Sequence, residues 1–347
     1  MISRRYLIPQ SAFAVALVWM VVARTASAAV TIDMVTVGNP GNADNVVSEF
    51  FSAGGVGYSY QIGKYDVTIQ QYTDFLNAAA KSDPYSLYDS NMASDLNIAG
   101  ISQSGSDGAY TYSVIGSSGN KPITYVSWFD AARFSNWMQN GQGSGDTETG
   151  AYTLNGQTLG APPSKNAGAT FYIPTQNEWY KAAFYDPTLN SGAGGYWQYT
   201  TRSNTTPGNV VGSGANQANF KNEFAGDAYS VTQSTTYNAN QNYLTNVGAF
   251  TNNATYYGTF DQGGNVRQWT DLNGGNAFSM LIMGGDWNNG SGFLDSTWSG
   301  GTPPGFISDN QIGFRLASTV PEPSTYSMAL AGLGFTGYSM FRRRKRA

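Results

Sequence analysis

Neither cysteine nor histidine occurs among the 347 residues of the chain. Without cysteine there is no disulfide, no thiolate metal centre and no sulfur nucleophile. Without histidine, Ser-His-Asp catalysis, histidine-bound zinc, facial-triad iron and the commonest general base are all excluded. Any catalysis would have to rest on carboxylates, tyrosine, lysine or a cation held by hard oxygen donors. Charged residues make up only 12% of the chain, and no repeat with a period of ~20–50 residues marks a solenoid or propeller.

What is present suits a folded core. Hydrophobic residues make up 41% and aromatics 14%, and a chain so rich in aromatics is not disordered. The 42 glycines point to many turns between short elements. Three helices announce themselves by one device. Thr68 with Gln71, Ser127 with Asp130, and Thr175 with Glu178 are capping boxes, in which each side chain satisfies a free backbone N–H of the other residue. Behind them, Tyr72, Phe75, Leu76 and Ala79, then Ala131, Phe134 and Met138, then Trp179, Ala182 and Ala183, form stripes to be buried. Strands are expected at 58–65, 123–126, 170–173, 265–270, 280–283 and 312–317. Polar loops fill 90–120, 141–169 and 185–247. Loops that long are functional or tied down, often by a metal. The whole reads as one loop-rich α+β domain over residues 29–318.

The ends lie outside that domain. Residues 1–28 begin with Arg4 and Arg5, continue apolar, and close on Ala26, Ser27 and Ala28, the form of a cleaved secretory signal. Residues 319–347 hold Val320, Pro321, Glu322 and Pro323, then an apolar run from Tyr326 to Phe341, then basic residues from Arg342 to Arg346. The run falls short of the ~20 residues of a spanning helix, and the basic cluster fits a cytoplasmic stop. The three parts in this order resemble the PEP-CTERM sorting signal. That resemblance implies an exosortase-type processing enzyme as partner, transient residence in the inner membrane through the C-terminal helix, and delivery to the cell surface or extracellular matrix of a Gram-negative-type bacterium.

The ends take Arg4, Arg5, Arg24 and the five residues from Arg342 to Arg346 out of 18 basic residues, and Glu322 out of 22 acidic ones. The domain keeps 10 basic against 21 acidic side chains, a net charge near −11. So acidic a surface repels phosphate backbones, and nucleic acid is not an expected partner.

Six motifs in order then become specific: YQIGKYDVTIQQYTDFLNA, KPITYVSWFDAARFSNWM, FYIPTQNEWYKAAFY, GGNVRQWTD, MGGDWNN and IGFRLAS. Together they resemble the formylglycine-generating enzyme / sulfatase-modifying factor family. The resemblance implies a loop-rich C-type-lectin-like fold. It also marks departures. The two copper-binding cysteines of the oxidase members fall on Asn289 and Leu294, Asp286 replaces a serine, and the usual Trp-Glu-Trp is Arg267, Gln268 and Trp269. The iron-dependent branch needs histidines that are absent. Neither copper nor zinc is therefore expected, and neither family oxidation is available.

The family's structural calcium sites imply two ligand sets here. One is Asn219 and Asp227 with the carbonyls of Phe220 and Tyr229. The other is Asp261 and Gln268 with the carbonyls of Gly264 and Val266, where glutamine in place of glutamate removes a charge. Lys64 and Arg315 are expected in buried pairing or packing, and Asn265 and Trp269 in turn and core. The segment MGGDWNNG supplies Asp286, Trp287, Asn288 and Asn289 as candidate ligand contacts, an aromatic face beside amides and an acid, which suits a sugar. The leading expectation is a non-catalytic surface protein binding a polar ligand such as matrix polysaccharide. A redirected enzyme using carboxylates or a bound cation, and a protein–protein accessory module, are the alternatives.

Overall fold

The structure is a computed structural model describing residues 29–48, 51–271, 280–298, 300–302 and 309–320. The signal segment 1–28, the residues Pro321, Glu322 and Pro323, and the apolar run after them lie outside the described residues. Among the described residues no helix is long and apolar enough to cross a membrane.

The three capping boxes each start a helix. α1 is Ile69–Ala79, α2 is Trp128–Gln139 and α3 is Gln176–Phe184, and in every case both reciprocal bonds of the box are made. α1 buries one stripe, Ile69, Tyr72, Thr73, Phe75 and Leu76. α2 does not: every residue from Trp128 to Met138 is buried. Two of its polar members, Arg133 and Asn136, are engaged by the long loop packed over it. Arg133 pairs with Glu148 at 2.7 Å, and the Asn136 amide donates to the carbonyls of Thr147 and Tyr152 at 2.7 and 3.0 Å. The loop 141–169 is thus tied down by side-chain hydrogen bonds.

Two four-stranded sheets frame the helices. In the first, Met34–Val37, Tyr60–Gly63, Ala317–Thr319 and Phe171–Tyr172 pair antiparallel in that order. Both ends of the domain therefore flank one strand. The second runs Gly300–Thr302, Met280–Met283, Arg267–Trp269 and Ile312–Gly313, antiparallel except for the last pair. The principal core lies between α1, α2 and these sheets, where the rings of Tyr72 and Phe134 contact each other and both Phe75 and Phe314.

Three expectations fail locally. No strand forms at 123–126, because Tyr125 adopts a left-handed backbone, φ 56, and its N–H turns to the Asp309 carbonyl at 3.0 Å. The stretch 90–120 is not all loop: Ile101–Ser104 and Thr111–Val114 form an antiparallel hairpin. The expected strand 312–317 is two short ones in different sheets.

Candidate functional site

The segment MGGDWNNG leaves the second sheet at the end of Met280–Met283. Gly284 and Gly285 have φ of 101 and 66, and a Cβ at Gly284 would stand 2.3 Å from the Gln262 carbonyl oxygen. Only glycine allows this turn and this approach. The chain then delivers Asp286 inward, where it is 0% exposed. Its Oδ1 accepts from the Asn288 N–H at 2.9 Å, and its Oδ2 accepts from the Asn289 side-chain amide. Arg267 Nε approaches the same Oδ2 at 3.0 Å, off the hydrogen-bond axis. Arg267 Nη2 donates to Gln311 Oε1 at 2.8 Å and reaches Asp309 Oδ2 at 3.5 Å. The Asn289 amide closes the ring on Gln311 Oε1 at 3.0 Å. Burial pushes the Asp286 carboxyl up to about 6, against the opposing charge of Arg267.

Two departures from the family pattern are therefore partners: the acid in place of serine pairs with the arginine in place of tryptophan. The third, Asn289 at the first cysteine position, joins the same network. Leu294, at the second cysteine position, sits elsewhere, in an apolar cluster with Tyr199, Ala218 and Phe220. Arg267, Asp309 and Gln311 were not singled out as site residues from the sequence. The replacement of the usual tryptophan by Arg267 was the signal that could have pointed to a buried acid.

Trp287 is not a ligand platform. It is 1% exposed, stacks on Tyr243 with centroids 5.0 Å apart and ring planes within 1°, and donates from Nε1 to the Asn310 carbonyl at 3.0 Å. Both ring and N–H are used inside the protein. Of the four candidate contacts only Asn288 and Asn289 are part-exposed, and the buried Asp286 and Trp287 are corrected to scaffold residues. Asp295, which neighbours Asp286 in sequence, is engaged by Gln198 and Thr297 instead.

The two calcium sets come together as packed loops. The Asn219 amide donates to Asn265 Oδ1 at 2.9 Å and to the Tyr243 carbonyl at 3.0 Å, and Gly264, φ 91, lets the backbone pass close to the Asn219 carbonyl. The donors do not fit a calcium cage in this arrangement. The Phe220 carbonyl already accepts from Asn209 and Ser230 at 3.2 and 3.1 Å, and that of Tyr229 from the Gln233 N–H at 2.8 Å. The exposed Asp227 carboxylate faces Lys221 at 3.7 Å. In the second set, Gln268 Oε1 accepts from Trp179 Nε1 and Arg315 Nε, both at 2.6 Å. Asp261 Oδ2 accepts from the Gly248 N–H at 2.6 Å, and burial raises its carboxyl to about 6. Val266 is a core residue packed with Tyr243 and Trp287. Among the described residues no group of three or more acids converges as a metal site.

Arg315 takes the buried pairing expected of it, meeting Asp66 Oδ1 at 2.8 Å with both side chains fully enclosed. Lys64 lies over the rings of Tyr65 and Phe260, 5.2 and 5.7 Å from their centroids. Asn265, φ 66, and Trp269 are turn and core, both 0% exposed.

Open space lies beside the network. A cavity of about 330 Å³ is lined by Tyr85, Asp89, Tyr125, Ser127, Thr158 and neighbours. Tyr125 links it to the network through the Asp309 carbonyl, and its hydroxyl donates to Asp95 Oδ2 at 2.9 Å.

Among curated proteins none matches the chain significantly. Among solved structures, Treponema denticola variable protein 1 is similar at 16% identity and a TM-score of 0.47, covering 84% of this chain and 97% of that one. The crystal structure of CarF aligns at 19% identity and 0.46, covering 84% and 99%. PvdO from Pseudomonas aeruginosa aligns at 15% identity and 0.42, covering 83% and 92%. Residues 319–345 match the PEP-CTERM protein-sorting motif, which indicates export to the cell surface or extracellular space of a Gram-negative bacterium and processing by an exosortase-type enzyme. Residues 51–320 match the sulfatase-modifying factor enzyme 1-like domain, and the chain belongs to that family.

Proposed function

We propose that this protein is a non-catalytic member of its family, sorted to the cell surface, where it binds a polar ligand of the extracellular matrix, namely polysaccharide. The observation carrying this reading is the closed network of Arg267, Asp286, Asn289 and Gln311. It occupies the segment where the oxidase members keep a serine and a cysteine. Every polar group that Asp286 offers is engaged within the protein, and the carboxylate has no access to solvent. A carboxylate acting as general base must reach its substrate, so the arrangement favours a scaffold over a redirected enzyme. Export to the cell surface or extracellular space, which the sorting motif indicates, supports polysaccharide as the ligand class.

The test is retention of the purified full chain on extracellular polysaccharide from its source, against a column of serum albumin as control. Retention that competes with soluble polysaccharide is expected. A protein that flows through unretained at low salt removes the polysaccharide reading.

A further inference from the structure

The cavity beside the network has features that a general binding role does not require. Its size falls at the small end of ligand pockets, enough for one or two sugar rings and far more than a bare ion needs. Two tyrosines line it, and both are held in place. The Tyr85 ring packs on the guanidinium of buried Arg133, 4.1 Å from carbon to ring centroid. Tyr125 is fixed by its hydroxyl bond to Asp95 and by its backbone bond to Asp309.

The backbone is also unusual there. Ser86 and Tyr125 both have φ near 55, and both line this cavity. A left-handed tyrosine is costly, and such strain persists where surrounding structure imposes it, commonly at binding sites.

The cavity wall is acidic. Asp89 and the buried Asp130 line it, and Asp95 stands behind Tyr125. Burial and then the carboxylates of Asp95, Asp89 and Asp309 all push the Tyr125 phenol up. Arg133, the cation behind Tyr85, is paired with Glu148 through two hydrogen bonds, of 2.7 and 3.2 Å. Tyrosine faces carry negative quadrupole charge, which attracts cations and polarised C–H groups alike. Thr158, with a neutral hydroxyl, lines the cavity as well.

We propose that this cavity binds a cationic amino-sugar unit, with the pyranose C–H face on a tyrosine ring and the ammonium group toward Asp89. The assignment rests on the polysaccharide reading and narrows it from any glycan to one with free amines. An ammonium–carboxylate contact is charge-assisted and stronger than a neutral hydrogen bond. A polyuronate would instead be repelled by these carboxylates and by the acidic domain around them.

The experiment measures binding of the full chain to four oligosaccharide probes at about pH 6, where an amine keeps its proton. These are glucosamine oligomers, N-acetylglucosamine oligomers, neutral glucan oligomers and uronate oligomers. Glucosamine oligomers are expected to bind tightest, and more weakly as salt rises. Asp89→Asn and Tyr85→Ala should each weaken that binding about tenfold, a loss of ~1.4 kcal/mol. Phe224→Ala, at a ring 76% exposed and absent from the cavity wall, should leave it unchanged. Equal or tighter binding of neutral or uronate probes overturns the amino-sugar assignment while the polysaccharide reading stands. No binding of any probe, together with no retention on source polysaccharide, removes both. If Tyr85→Ala fails to fold, Asp89→Asn decides, and wild-type affinity in that variant overturns the site.

Discussion

Asp286 illustrates how one residue's meaning depends on a partner distant in sequence. Three of the departures from the family pattern, at Arg267, Asp286 and Asn289, meet in one network. Their pairing is fixed by strand register, since Gln268 lies opposite Met283 in the antiparallel ladder, and register cannot be read from residue types alone. The role of Trp287 is hidden in the sequence for a similar reason. An aromatic between amides looks the same in sequence whether its ring faces solvent or, as here, lies flat on Tyr243 from another loop. The pairing makes a quantitative prediction. Arg267→Leu should lower the unfolding free energy by about 2–3 kcal/mol, because it leaves a buried acid without its cation. Asp286→Ser alone should also destabilise. The double variant should lose about 1–2 kcal/mol less than the two single losses combined, as contacting residues do. Urea denaturation of all four proteins measures this, and strict additivity would show that the two departures are not coupled.

At the scale of elements, the features legible in the sequence were the local ones. Each capping box involves residues three apart, and all three boxes form. The amphipathic stripe was legible for α1 but understated α2, because burial of its polar face depends on a loop that covers it. Arg133 and Asn136 are polar side chains whose burial depends on that loop. The hairpin Ile101–Ser104 with Thr111–Val114 escaped because its alternation is carried by small polar residues and few large apolar ones. Asn136 tests the account of the loop. Its side chain donates to Thr147 and Tyr152 and accepts from the Tyr152 N–H at 2.8 Å. Asn136→Ala leaves those backbone groups buried without partners and should cost about 3 kcal/mol. Limited proteolysis should then cut within 141–169 before the rest of the chain opens. A variant that unfolds earlier but is first cut elsewhere would mean that the loop is held by other contacts.

For the molecule as a whole, charge sets the remaining expectation. The domain is strongly acidic, and several of its carboxyls are buried. Burial raises Asp130, Asp261 and Asp286 to about 6 each. Asp66 is raised as well, because burial outweighs its contact with Arg315. Unfolded aspartates titrate near ~4. Between about pH 4 and 6 the native protein therefore binds protons that the unfolded chain has shed, and stability falls with rising pH. The contribution of these groups is full below the unfolded value and is lost as pH rises through the folded one, with Asp66 extending the loss beyond the other three. Exposed Asp146 acts in the opposite sense. The Thr149 hydroxyl and the Glu148 amide hold it below its usual value, so its contribution disappears at lower pH still. The two trends leave a maximum on the acid side of neutrality. Thermal unfolding of the full chain should show a higher midpoint at about pH 5 than at about pH 8. Replacing the buried Asp286 by asparagine should flatten that difference, because one of the titrating groups is gone. A midpoint that climbs steadily from the acid to the alkaline side would mean that these carboxyls are ionised without cost in the native protein. Their pairing with Arg267 and Arg315 would then outweigh their burial.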